Sequence, residues 1–315
     1  MLPDLLTPLP ARCPLSLRSI GILCLLLATS SLAPLPTLPA QDDAGREVQP
    51  ARARRTRQRR PTESDPALAI QEIAPATSSS EAREAIIDAI PIDRLQDHHR
   101  TQVETLIAGR PLFRCLPALR IELEPAAYEY YRSHPDMAVA VWKVLGISNL
   151  ELKKLAPGHY AAVSKDGSRG TIEVLLQTRD LLIIHGTGNW HSGLIPTPIR
   201  SQGLVVLRHR FEQDQQGRRF VAHQAAMFLA FPQDSVRNVA RLVSPVTNVM
   251  ADRNFRDISR FLRMMHVASI KKPGWVESIA DRLEGISQSE RDAFLRTAAR
   301  SYVSDRRLRQ KTRTR

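Results

Sequence analysis

Between residues 149 and 231 apolar side chains recur at every second position, in six runs at 149–155, 159–164, 170–177, 180–186, 202–213 and 218–231. From Ser235 onward the spacing changes to three and four. Val236, Val239, Leu242 and Val243, then Phe255, Ile258, Phe261, Leu262 and Met265, follow one stripe. Period two marks half-buried strands and period 3.6 an amphipathic helix. Turn residues separate most of the runs: Pro157-Gly158, Asp166-Gly167, Arg179-Asp180 and Gln216-Gly217. Links this short join antiparallel neighbours, because a parallel crossover needs a dozen residues or more. The expectation is an antiparallel meander followed by a long helix, kinked or broken at Pro245.

The segments before the meander complete this plan. Ser80 followed by Glu81 and Glu84 reads as a capped helix start, with Ile86, Ile87 and Ile90 on one face and Pro91 as its end. A second helix over 94–108 carries Leu95, Val103, Leu106 and Ile107 and stops at Gly109. Residues 118–123, Ala-Leu-Arg-Ile-Glu-Leu, alternate as a strand, and Pro125 and Pro135 then open two short helices. Met137, Val141, Trp142, Val144 and Leu145 form the buried side of the second of these.

Strand, two short helices, six strands, long helix is the element order of the helix-grip fold, and over 115–265 the chain resembles START-like and pollen-allergen-like lipid-binding proteins. That resemblance implies an α+β domain in which a curved antiparallel sheet of about seven strands wraps a long C-terminal helix and leaves a cavity between them. Ile90-Pro-Ile-Asp-Arg94 and the stretch from Asp136 to Leu150 are also similar to exported proteins of planctomycete-type bacteria, a likeness that implies no activity.

The two ends read differently from the middle. Residues 1–40 place Arg12 and Arg18 before an apolar run at 20–28, followed by small residues and prolines up to Ala40, the plan of a signal peptide. The run is shorter than the roughly 20 residues a membrane span needs, and a retained N-terminal anchor is the alternative. Residues 41–79 have few large apolar side chains and read as a disordered basic linker. The expected layout is then a helical lead-in at 80–110, the α+β domain at 111–270, C-terminal helices at 271–304 and a basic tail at 305–315. The expected location is the periplasm, cell envelope or exterior.

A formal charge of +13 favours anionic partners. Much of it sits in two runs, Arg52, Arg54, Arg55, Arg57, Arg59 and Arg60, and Arg306, Arg307, Arg309, Lys311, Arg313 and Arg315. Runs of this kind are tails that could touch an anionic membrane surface or polymer. Nucleic acid is not an expected partner, because base-stacking platforms of interleaved aromatic and basic residues are missing and export removes the usual target. After loss of residues 1–40 only Cys115 remains, among Phe113, Leu116 and Leu119, which reads as a buried thiol rather than a nucleophile. In 274–304, Trp275, Ile279 and Leu283 form one apolar face and Phe294, Leu295 and Tyr302 another, suited to docking on the domain or to lying on a membrane surface.

His185-Gly-Thr-Gly-Asn-Trp-His-Ser-Gly193 is the most distinctive stretch. It reads as a wide connection between two strands, whose glycines serve the turn, or as the rim of a pocket. Ser192 beside His191 lacks the G-x-S-x-G elbow of hydrolases, and Gly-Thr-Gly opens no helix as a dinucleotide site requires. His98 and His99 share a short helix, and His209, His223 and His185 form a conceivable zinc triad with no supporting spacing; no metal, cofactor or catalytic residue is assigned. Arg208, Arg210, Arg218 and Arg219 read as a solvated hairpin face, and Arg253 with Asp257 as an ion pair within the helix.

The leading expectation is an exported, non-enzymatic binding module for a lipid or other hydrophobic ligand. Val205, Leu207 and Met227 supply the wall, Phe255, Ile258 and Leu262 close it from the helix, and His185, Trp190 and His191 form the rim. Val174, Leu176, Ile183 and Leu229 belong to the same expected wall. An envelope scaffold tethered by basic tails is the alternative, and a histidine-based hydrolase or metalloenzyme at 185–193 the third reading.

Overall fold

The computed structural model describes residues 68–313 apart from 166, 193, 194, 232 and 233, and leaves out the side chains at 190–199, 232–246 and 312–313. The expected signal peptide and residues 41–67 of the expected linker lie outside the described residues.

The elements run β1 (Gln71–Ala74), α1 (Ser80–Asp88), a 3₁₀ turn (Ile92–Arg94), α2 (Asp97–Ala108), β2 (Leu112–Cys115), β3 (Ala118–Glu122), α3 (Pro125–Ser133), α4 (Pro135–Val144), β4 (Glu151–Ala156), β5 (His159–Val163), β6 (Arg169–Gln177), β7 (Leu181–Ser192), β8 (Ile195–Gln213), β9 (Arg219–Ala230), α5 (Asp234–Lys271), α6 (Pro273–Asp281) and α7 (Gln288–Arg313). All strands join one antiparallel sheet in the order β1-β3-β9-β8-β7-β6-β5-β4, with β2 also paired to β9. The fold is thus α+β, as expected, with the meander β4 to β9 intact.

The sheet has nine strands rather than about seven. Both additions are four residues long, β1 and β2, too short for alternation to be read. β2 and β3 share one side of β9, aligned end to end: Cys115 pairs with Ala226 and Leu119 with His223. Leu116-Pro117 lies between them, where proline cannot donate to the ladder. β1 falls inside the expected linker and pairs with β3, and Thr77 and Cys115 exchange backbone hydrogen bonds at 2.9 and 2.8 Å. The linker reading therefore ran too far toward the domain. The cap of α1 is Ser79, one residue before the expected Ser80, and its hydroxyl accepts from the Ala82 N–H.

Two further expectations are corrected. α5 is not broken at Pro245, since proline removes one backbone donor and the 38-residue helix retains its other bonds. The C-terminal basic run is no free tail: α7 carries it in helix to Arg313.

Alternation gives the sheet two faces. On one, Leu182, Ile184, Val205, Val221, Ala225 and Met227 meet Phe255, Phe261, Leu262 and Met265 of α5, with α3, α4, α6 and α7 adding to the same core. On the other, Leu181, Ile183, Leu204, Val206 and Phe228 meet Val103 and Leu106 of α2. Leu176 and Ile183, expected on the wall facing α5, belong to the α2 side; for Leu176 the register shift between Val174 and Leu176 reverses the alternation. Val276, Ile279, Leu283 and Phe294 are buried in the α5-side core, so α6 and α7 dock on the domain.

Candidate functional site

The α5 face carries a partly open cavity of about 140 Å³. Its walls come from β4 to β9, from α3 and α4, and from α5. Of the residues singled out in the sequence, Val205, Leu207, Phe255, Ile258 and Leu262 line it, as does Val174. Met227 and Leu229 are buried in the same core but off the cavity wall. His185 is not at its rim: one position beyond Ile184, it points to the α2 side, where Gln102 Nε2 lies 2.7 Å from its Nδ1. Trp190 and His191 lie in β7, and their side chains are outside the described residues. Residues 185–192 of the glycine-rich stretch are therefore strand and not a wide connection. Gly186 and Gly188 pair with Ile172 and Gly170 on one side and with Gly203 and Ser201 on the other. A Cβ at Gly170 would stand 2.6 Å from the Thr187 carbonyl oxygen, so glycine there permits close approach of the strands.

Sequence reading missed the aromatic part of the wall: Tyr128, Tyr131, Trp142 and Tyr160. Phe261 lies edge-on to Tyr131 and Trp142 at centroid distances of 5.7 and 5.4 Å, joining α3, α4 and α5.

The polar groups at the cavity form a closed chain. Ser259 has one hydroxyl proton, given to the Phe255 carbonyl at 2.8 Å as the backbone turn dictates. The 2.9 Å contact from His223 Nε2 to Ser259 Oγ is then an N–H donation by the imidazole. His223 Nδ1 is left as the acceptor, and the Tyr128 hydroxyl donates to it at 3.3 Å. Every member is satisfied with a neutral ring, and burial holds the His223 pKa down to about 3. Burial likewise raises the Tyr128 hydroxyl above the ordinary tyrosine range. Because the histidine donates to the serine, it cannot take the serine's proton, so this pair lacks nucleophile–base geometry.

Beside this chain Glu129 accepts from Arg132 Nε at 3.0 Å and lies 3.2 Å from His209 Nε2, and Arg132 also donates to the Thr178 carbonyl. His209 and His223 are register partners near α3 and α5, while His185 faces α2. A triad of the three is geometrically excluded.

A second concavity, a groove of about 710 Å³, lies between α7, the β8–β9 turn and the end of β3. Its carboxylates are already paired: Glu122 with Arg263 at 3.1 Å, Glu124 with Arg219, and Asp305 with Arg309 at 2.7 Å. Arg218 is held by Asp214 at 2.7 Å and Arg210 by Glu212 at 2.8 Å, so the exposed arginines of the hairpin are solvated, as expected, and ion-paired as well. Arg296, Arg300 and Arg307 of α7 line the groove with no hydrogen bond or ion pair among the described residues. Spacings of four and seven put them on one helix face. His266 also lines this groove, and burial lowers its pKa to about 4.

Two smaller expectations concern Asp257 and Cys115. Asp252 is bound by Arg114 from β2 at 3.0 Å, while Asp257 pairs within α5 with Arg260 at 2.8 Å and Arg253 at 3.7 Å. Cys115 is buried, and desolvation raises its thiol pKa, which disfavours the thiolate.

No family model matches the chain, and no curated protein matches it. Among solved structures it is similar to a conserved protein from Geobacillus kaustophilus, at TM-score 0.34 and 11% identity, over 46% of this chain and 91% of that one. It is also similar to an uncharacterized protein from Rhizobium leguminosarum, at TM-score 0.27 and 17% identity, over 46% of this chain and 95% of that one. At these TM-scores neither likeness carries an argument about what this chain does.

Proposed function

We propose that this chain is an exported binding module that holds a small apolar ligand between its sheet and α5. The observation that carries the reading is the cavity of about 140 Å³, walled by aliphatic and aromatic side chains with His223 and Arg132 as polar neighbours. The order β3, α3, α4, β4 to β9, α5 supports a helix-grip arrangement, the fold class in which such a cavity is used.

Size sets the ligand class. Sites for drug-sized molecules run to about 300–1,000 Å³, whereas an apolar cavity of about 150 Å³ admits benzene. A monocyclic or short-chain apolar molecule fits; a whole acyl lipid requires α5 to part from the sheet. The test is native mass spectrometry of the purified chain followed by organic extraction, with benzene as probe. Ala225→Leu, which extends a wall side chain into the cavity, should abolish benzene binding while the protein still folds. Benzene binding that survives this substitution would remove the reading. N-terminal sequencing of the mature protein checks export, and an intact Met1 would speak against cleavage.

A second reading, an envelope protein tethered by charge, rests on Arg296, Arg300 and Arg307 in the basic groove. It predicts binding to anionic vesicles that weakens steeply with salt, and Arg300→Gln with Arg307→Gln should weaken it more than equal charge removal at Arg306 and Arg309.

A further inference from the structure

Strand register sets three side chains in a row on the α2 side of the sheet. His159 of β5 pairs with Glu173 of β6, and Glu173 pairs with His185 of β7. Directly paired residues share a face. The helix α2 brings His98 and His99 to the same place. His99 Nε2 lies 2.8 Å from Glu173 Oε1, and His159 Nε2 lies 3.7 Å from that same oxygen. The rings of His98 and His99 have centroids 3.9 Å apart. One ligating atom from each of His98, His99 and Glu173 falls within 4.8 Å of the other two.

A simple hydrogen bond from His99 to Glu173 accounts for one nitrogen and one oxygen. It leaves unexplained why His98 and His159 converge on the same carboxylate. Four donors held tetrahedrally at 2.0–2.1 Å from an ion stand about 3.4 Å apart. The cluster reaches that spacing if the exposed rings of His98 and His159 swing inward. His185, the third member of the row, is already engaged by Gln102 at 2.7 Å and is not counted as a ligand.

We propose that His98, His99, His159 and Glu173 form a site for one divalent transition-metal ion of the zinc class. Three imidazoles and one carboxylate suit such an ion, whereas magnesium and calcium take oxygen donors. With ligands from α2, β5 and β6 the ion would fasten the helix to the sheet, adding to the apolar contacts of Val103 and Leu106 and to the Gln102–His185 hydrogen bond. This inference is independent of the apolar cavity, which lies on the opposite face.

The test uses the full-length chain, freed of metal with a chelator and titrated with Zn²⁺, Co²⁺ and Mg²⁺. One equivalent of Zn²⁺ should bind, Co²⁺ should give the intense visible absorption of a tetrahedral site, and Zn²⁺ but not Mg²⁺ should raise the melting temperature. His98→Ala and His159→Ala remove exposed side chains and spare the core; each should weaken Zn²⁺ more than about ten-fold. Glu104→Gln, an exposed change on α2, should leave affinity as it was. Absence of stoichiometric Zn²⁺ overturns the proposal, and so does Zn²⁺ affinity that is equal in the wild type and both histidine variants.

Discussion

His223 Nε2 on β9 and Ser259 Oγ on α5 meet at 2.9 Å inside the core, tying the strand at the centre of the sheet to the middle of the long helix. On the other side of the ring the Tyr128 hydroxyl donates to Nδ1, which requires an unprotonated imidazole, and burial lowers the His223 pKa from 6.5 to about 3. His266 is depressed in the same way, to about 4. Between those values and 6.5 the unfolded chain takes up protons that the folded chain refuses, so stability falls as pH drops through this window. Each group contributes a slope of up to about 1.4 kcal/mol per pH unit. Denaturant titrations from pH 7 to 4 should show this loss. In His223→Gln the slope should flatten by about one proton, and an unchanged slope would show that His223 does not titrate as described.

Phe261 joins α3, α4 and α5 through its edge-on contacts with Tyr131 and Trp142. Phe261→Ala is expected to cost about 3–5 kcal/mol, the usual range for truncating a buried aromatic side chain. Chemical denaturation measures it, and a loss under about 1 kcal/mol would mean that the three helices are held together elsewhere.

Arg114 and Asp252 join β2 to α5, with side chains 19% and 11% exposed. Removing the arginine alone strands a half-desolvated carboxylate, and Arg114→Met should destabilise the fold by about 3 kcal/mol. Replacing both, with Asp252→Leu added, should recover most of that loss. Additive single and double variants would contradict the coupling.

Gly217 has φ +81°, and a Cβ there would stand 2.9 Å from Leu308 Cδ1 of α7. Gly217→Ala meets two separate obstacles, a left-handed backbone and a clash with the helix that walls the basic groove. Adding Leu308→Ala should relieve the clash and leave the backbone cost of about 1 kcal/mol. Thermal melts of the single and double variants distinguish the two contributions.

Much of the cavity was legible because two periodicities force burial. Val205 and Leu207 fall on the apolar phase of an alternating run, and Phe255, Ile258 and Leu262 on the stripe of α5. Where alternation breaks, the reading failed: the bulge after Val174 moved Leu176 to the other face. His185, Trp190 and His191 drew attention through their glycines, yet Gly186 and Gly188 lie within paired strand, and the close approach that requires glycine is at Gly170, against Thr187. His98 and His99 stood out as a pair, but their convergence with His159 and Glu173 was hidden for another reason. It depends on cross-strand register and on where α2 lands, and no local spacing records either. β1 was hidden because its four residues follow a composition that otherwise reads as linker.

The two borders of the sheet carry a consequence for life in a crowded solution. β1 shifts register between Glu72 and Ala74, and β4 does so between Lys154 and Ala156, next to the adjacent cations Lys153 and Lys154. A straight, uncharged border would template the addition of another molecule's strand. Here each border is bent out of line and carries charge, Glu72 on one side and Lys153 and Lys154 on the other, so neither offers a regular ladder to a second strand.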